Sequence, residues 1–156
     1  MLLYFLRHAE AEDAVTTDFD RKLTAKGLAQ ADKVGKFCVR FGLVPDLVLS
    51  SPVLRAEQTA RAVAAHFGDR EIVVERWLAC GMSPEVCLRE LGSYQKWETV
   101  MLVGHEPDFG DTIAACVGLP DPDALHIRKA SLTAVDLPRL RAGAGRLEFC
   151  VPARLM

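Results

Sequence analysis

What this sequence lacks narrows it first. None of its apolar runs approaches the roughly 20 residues needed to cross a bilayer. The apolar start, from Leu2 to Leu6, has no basic stretch before it and does not read as a secretory signal. There is no excess of positive charge: 19 Lys and Arg stand against 21 Asp and Glu, a formal net charge of −2. That excludes an overall basic surface for nucleic acid or an anionic membrane, so any anion site must be local. The five cysteines are scattered and form no C-x-x-C pair. They read as buried thiols in a reducing compartment, hence a cytoplasmic protein. The four histidines, at 8, 66, 105 and 126, show no H-x-H or H-E-x-x-H spacing, which speaks against a metal site. No internal repeat or low-complexity segment interrupts the 156 residues. They are expected to form a single domain, 1–156, large enough for a real core.

What is present is an alternation of strands and helices. "LLYFL" is a short continuous apolar run and predicts a buried strand. "LTAKGLAQADKVGKFCVRFG" predicts a helix capped by Thr24, with Ala31, Val34, Cys38 and Phe41 on one face and Gly42 at its end. "DLVLS" predicts a second strand. "SPVLRAEQTARAVAAHFG" predicts a helix with Ser51 as N-cap, Pro52 in the first turn, and Val53, Ala56, Ala60, Val63 and Phe67 on one stripe. "EIVVERW" reads as an edge strand, and "SPEVCLRELGSY" opens another helix at Ser83 and Pro84. "TVMLVG" is a strongly apolar strand, followed by the short helix "PDFGDTIAACVG" with Asp108 as a candidate cap. The stretch from Ser131 to Pro152 reads as two strands around the turn "RAGAG". This order implies an α/β fold: a three-layer α/β/α sandwich on a mainly parallel sheet, made mixed by the last strands.

In such folds ligands bind beyond the carboxyl ends of the strands. The first apolar strand runs, with no turn residue between, into Arg7 and His8. The second ends at Ser50-Ser51-Pro52, with Arg55 close behind. "TVMLVG" ends at His105-Glu106-Pro107. If the strands are parallel neighbours, two arginines and two histidines meet at one edge of the sheet. Arg55 also lies near a helix N-terminus, which favours an anion. Guanidinium groups match phosphate oxygens through paired hydrogen bonds, and a neutral imidazole can attack phosphorus. Singly, each residue has an ordinary reading as a solvated charge or structural histidine; the joint arrangement points to phosphate. His66 and His126 have no such context and read as ordinary histidines.

With these residues in place, the sequence resembles the histidine phosphatase superfamily, the phosphoglycerate mutase-like proteins. "LRHAEA" stands where the family has Arg-His-Gly, "SPVLRAEQT" matches S-x-x-x-R-A-x-Q-T, and "VGHEPDFGD" matches a G-H-x-P turn. "LTAKGLAQA" fits L-T-x-x-G-x-x-Q-A. Length and "FDRKLTAKG" look most like the SixA-type phosphohistidine phosphatases. The resemblance implies that His8 is the nucleophile, that Arg7 and Arg55 hold phosphate, and that His105 contacts the same group. It also implies that Arg21 lies near the phosphate. Ala9 departs from the usual glycine and is tolerated only if its backbone does not need φ > 0. Glu106, directly after the second histidine, is the candidate general acid.

The implied activity is metal- and cofactor-independent removal of a phosphoryl group, most readily from phosphohistidine on a protein, through a phosphohistidine enzyme intermediate. The absence of a cap insertion between Thr59 and Val100 favours an open site suited to a protein surface. The partner is then a phosphorylated protein, with neither nucleic acid nor membrane involved, and the protein is expected to be a monomer. Two alternatives stay open: a small-molecule phosphomonoesterase on the same fold, and a non-catalytic phosphoprotein-binding module.

Overall fold

A computed structural model of the chain describes residues 1–13 and 17–156. Six strands form one sheet: β1 (Leu2–Arg7), β2 (Leu47–Ser50), β3 (Ile72–Val74), β4 (Thr99–Gly104), β5 (Leu132–Asp136) and β6 (Arg146–Val151). Their order is β3-β2-β4-β1-β5-β6. The first four strands in that order are mutually parallel, while β5 runs antiparallel to both β1 and β6, so the sheet is mixed. The four helices are α1 (Ala25–Arg40), α2 (Leu54–Ala64), α3 (Pro84–Glu90) and α4 (Asp108–Val117).

The apolar runs are continuous because both faces of the sheet are covered. Along β1, Tyr4 and Leu6 point into a core shared with α1 and α2. Leu3 and Phe5 point into a second core shared with α3 and α4. β4 divides the same way, Met101 and Val103 against Val100 and Leu102. Phe5 meets Phe109 of α4 edge-on at 5.2 Å, a favoured aromatic geometry. The result is the three-layer α/β/α fold that the phosphoglycerate mutase-like resemblance implies.

Several boundaries differ from the sequence reading. The Thr24 cap forms, its side chain accepting from Gly27 N–H at 3.0 Å. Ala31, Val34 and Cys38 are buried, but Phe41 is 56% exposed. The helix ends at Arg40, so Phe41 leaves the stripe as the C-cap and packs on Phe37. The second helix begins at Leu54, not at Pro52, and Ser51 is not its N-cap; Ser51 Oγ accepts from Val53 N–H at 3.2 Å and makes a turn. Its stripe from Val53 to Phe67 is buried as expected. The edge strand is shorter, Ile72–Val74, because Arg76–Leu78 coils into a 3-10 turn. Of the five cysteines, Cys38, Cys87 and Cys116 are buried, whereas Cys80 and Cys150 are exposed.

This topology sets the site. β1, β2 and β4 are neighbours with Arg7 opposite Gly104 and Ser50 opposite Val103. Their carboxyl ends therefore stop at one level, and the next residues of all three meet there.

Candidate active site

The segment leaving β1 is clamped residue by residue, and the clamps are the motif positions. His8 N–H donates to the Gly104 carbonyl at 2.9 Å. Ala9 N–H donates to Thr59 Oγ1 at 3.0 Å, and Glu10 N–H to Gln30 Oε1 at 2.9 Å. Gln58 Oε1 accepts from Leu23 N–H at 2.8 Å. Gly27 lets α1 approach, since a Cβ there would lie 2.0 Å from the Glu10 carbonyl oxygen. So Gly27 and Gln30 of "LTAKGLAQA", and Thr59 of "RAEQT", hold the backbone beside His8, while Gln58 holds Leu23 before α1. Ala9 takes its place without strain: Ala130 is the one non-glycine residue with positive φ among the described residues. Ala130 N–H bonds the Arg7 and His8 carbonyls at 3.1 and 3.2 Å.

The ring of His8 is oriented from both ends. Nδ1 lies 2.8 Å from the Ala9 carbonyl, which can only accept, so Nδ1 carries the hydrogen. Nε2 then presents its lone pair, 3.3 Å from Arg55 Nε. The His105 ring lies 5.3 Å from that of His8, centroid to centroid. His105 Nε2 meets Ser51 Oγ at 2.8 Å, while its Nδ1 is buried without a partner. Ser51 Oγ also accepts from Val53 N–H; with its O–H turned to Nε2, the ring hydrogen of His105 sits on Nδ1.

Burial, then the neighbouring cations, keeps both imidazoles neutral. His8 is pushed down to about 3 by burial, with further lowering from His105, Arg55 and Arg7. His105 is pushed down to about 4 by burial and then by Arg55 and Arg7. Arg7 is half-buried; its Nη1 donates to the Ile127 carbonyl at 2.7 Å, and its Nε is buried without a partner.

Arg55 is 5% exposed and is not idle. Its Nη1 donates to the Asp18 carbonyl at 2.7 Å, and its Nη2 to Asp18 Oδ2 at 3.0 Å. No motif in the sequence marks Asp18, yet its carboxylate engages the Arg55 guanidinium. Arg21 Nη1 holds its other oxygen at 2.8 Å. The bond to Arg21 first, then Arg55, holds the Asp18 carboxyl below its usual range. Arg21 thus reaches the rim of the site through Asp18 and the Glu12 carbonyl, not the histidine pair itself. The helix N-terminus behind Arg55 offers less than expected. Val53 N–H is taken by Ser51 and Leu54 N–H by the Phe19 carbonyl.

Glu106 follows His105 and is partly buried, with Oε1 lacking any partner. Its pKa is raised by burial against the opposing pull of Arg7. Gly110 makes room for it, since a Cβ there would lie 2.9 Å from Oε2. Asp108 does not cap α4; its carboxylate accepts from Gly81 and Met82 N–H at 2.8 and 3.2 Å. It staples the loop carrying Cys80, whose sulfur lies 3.6 Å from Arg55. His66 pairs with Asp32 at 3.0 Å between α1 and α2, away from the site, and His126 lines a groove beside Arg7. Among the described residues no cluster of three or more His, Cys, Asp or Glu is placed to hold a metal. No helix among them is long and apolar enough to cross a membrane.

Asp18 and Ser51 are the two residues whose part here the sequence did not disclose. The available signals were weak: an aspartate three before Arg21, and a serine already accounted for as a cap.

Comparison with known proteins meets this geometry from outside. The family model of the histidine phosphatase superfamily (branch 1) matches residues 3–79. An uncharacterized protein of Picosynechococcus sp. is 34% identical over 95% of this chain and 89% of its own length. A protein of Agrobacterium tumefaciens assigned as a phosphohistidine phosphatase SixA superimposes with a TM-score of 0.83 at 29% identity over 96% of both chains. The protein histidine phosphatase SixA complexed with tungstate gives a TM-score of 0.90 at 21% identity over 99% of both chains. The same fold is seen in the alpha-ribazole phosphatase of Shigella flexneri, with a TM-score of 0.81 at 18% identity over 98% of this chain and 97% of that one. Sequence motifs, sheet order and these likenesses agree that the chain belongs to the histidine phosphatase superfamily and is SixA-like within it.

Proposed function

We propose that the protein is a metal-independent phosphatase acting on phosphohistidine borne by a protein, through a covalent phosphohistidine at His8. The observation that carries this reading is the orientation of His8. Its Nδ1 is tied to the Ala9 carbonyl, so a neutral Nε2 faces the space between Arg55 and His105. The substrate phosphate displaces the Asp18 carboxylate from Arg55 and is held by Arg7 Nε, the Arg55 guanidinium and His105 Nδ1–H. His8 Nε2 attacks in line; the P–Nε2 bond forms as the bond to the leaving nitrogen breaks. The leaving imidazole takes the electron pair and departs neutral because it carries a proton. Water then attacks phosphorus, the P–Nε2 bond breaks, inorganic phosphate leaves, and His8 regains its lone pair. Positioning and fixed positive charge supply most of the catalysis.

A second reading is favoured by one observation: Glu106, directly after His105, has a buried, unpartnered Oε1, and burial raises its pKa. A carboxyl made readier to hold its proton suits an alkoxide leaving group, and so a small phosphomonoester. One experiment addresses the reaction and the substrate together. Enzyme quenched in alkaline denaturant is expected to carry acid-labile, base-stable phosphate on the peptide containing His8, and a phosphohistidine protein to outcompete sugar phosphates as donor. Label on serine or cysteine, or turnover by His8→Ala, would overturn the mechanism; preference for a sugar phosphate would favour the second reading.

A further inference from the structure

The chain is acidic overall, yet the surface leading away from Arg7 is not. A groove of about 450 Å³ beside Arg7 is lined by Lys26, His126, Arg128, Lys129 and Arg154. It shares Lys26, Gln30, Ala153 and Arg154 with a second groove that adds Lys33. Lys33 in turn opens a third, which adds Lys36 and Arg40 and ends on Phe37, Phe41, Leu155 and Met156. No acidic side chain lines any of the three. Lys26 pairs with Glu10 and Lys36 with Asp32. Lys33, Arg128, Lys129 and Arg154 have no ion-pair partner among the described residues. At ~1.5 Å per residue, Lys26 to Phe41 along α1 spans about 22 Å.

We propose that this connected track is where the phosphoprotein docks, its carboxylates lying along Lys33, Lys129, Arg128 and Arg154 and an apolar side chain resting on Phe41 and Leu155. The proposal rests on the phosphoprotein reading above. Its length exceeds what a small metabolite can touch while its phosphate sits at Arg7. Its apolar end distinguishes a protein from a nucleic acid: Phe41 is 56% and Leu155 69% exposed, and a sugar-phosphate backbone offers them nothing to bury. Complementary charge along the track speeds encounter and fixes orientation more than it deepens affinity.

The test uses peptides of about twelve residues, long enough when extended to span the track, each carrying one chemically phosphorylated histidine. One set is flanked by Asp and Glu, the other by Ser and Gln. The wild type is expected to favour the acidic set by roughly ten-fold in kcat/KM at low salt, and to lose the preference near 0.5 M salt, where the Debye length shrinks to about 4 Å. Lys33→Glu with Arg154→Glu is expected to abolish the preference while leaving p-nitrophenyl phosphate turnover unchanged. Leu155→Ser is expected to raise KM for peptides with an apolar end residue. An undiminished preference in the doubly substituted protein would overturn the track while sparing the phosphoprotein reading. Competition by a single-stranded oligonucleotide but not by an acidic peptide would overturn it too. Turnover of p-nitrophenyl phosphate with no turnover of any phosphohistidine peptide would overturn both.

Discussion

The neutrality of His8 has a cost that can be measured without any substrate. In the folded protein its pKa is pushed down to about 3, against about 6.5 for an unfolded imidazole. The folded value lies below the unfolded one, so between the two the unfolded chain binds a proton that the folded chain refuses. Stability is therefore whole above about pH 6.5 and falls as the pH drops toward 3. From pH 7 to pH 5 this one residue removes about 2 kcal/mol, at ~1.4 kcal/mol per pH unit below the unfolded value. His105, at about 4, adds a like loss. Glu106 and Asp108, raised by burial, act in the opposite direction. A difference between two proteins removes these shared terms. His8→Asn retains a donor for the Ala9 carbonyl and removes the titration. Urea unfolding in anion-poor buffers, followed by the fluorescence of Trp77 and Trp97, would give stability at pH 7, 6 and 5 for both proteins. The wild type is expected to lose about 2 kcal/mol more than His8→Asn over that range. Parallel curves would refute the reasoning, because they would mean that His8 titrates when folded much as it does when unfolded.

Three further outcomes follow from the site. Asp18→Asn leaves the backbone carbonyl on Arg55 and removes the competing charge; since Asp18 is largely exposed, the contact is worth ~0.2–1 kcal/mol, and inorganic phosphate should inhibit up to about five-fold more tightly. Weaker inhibition would make Asp18 a support for Arg55 instead. Glu106→Gln should slow alkyl phosphates by ~10²–10⁴-fold and aryl phosphates far less, and equal losses on both would remove Glu106 as the acid. Ser51→Ala should lower kcat by roughly 10–100-fold, the scale of one buried hydrogen bond left unmade, and ¹⁵N spectra should show His105 losing its single Nδ1–H tautomer; an unchanged tautomer would refute the role of Ser51.

Much of the molecule was legible in the linear sequence because burial is written locally. Runs such as Leu2–Leu6 and Val100–Val103 alternate between two cores and so carry no polar residue. Thr24 and Ser83 cap their helices because the capping bond reaches only three residues along the chain. Arg7, His8, Arg55 and His105 could be placed together because three parallel strands must end at one edge. The tertiary structure decided whatever depended on a partner from another element. Ser51 bonds His105, 54 residues away, in place of capping α2, and Asp108 reaches back to Gly81 and Met82. Asp18 reaches Arg55 across 37 residues. For Glu106, burial and Arg7 pull its proton in opposite directions. Sequence identifies both influences but carries no distances, and it is depth of burial against separation from the guanidinium that decides the direction, here a raised pKa.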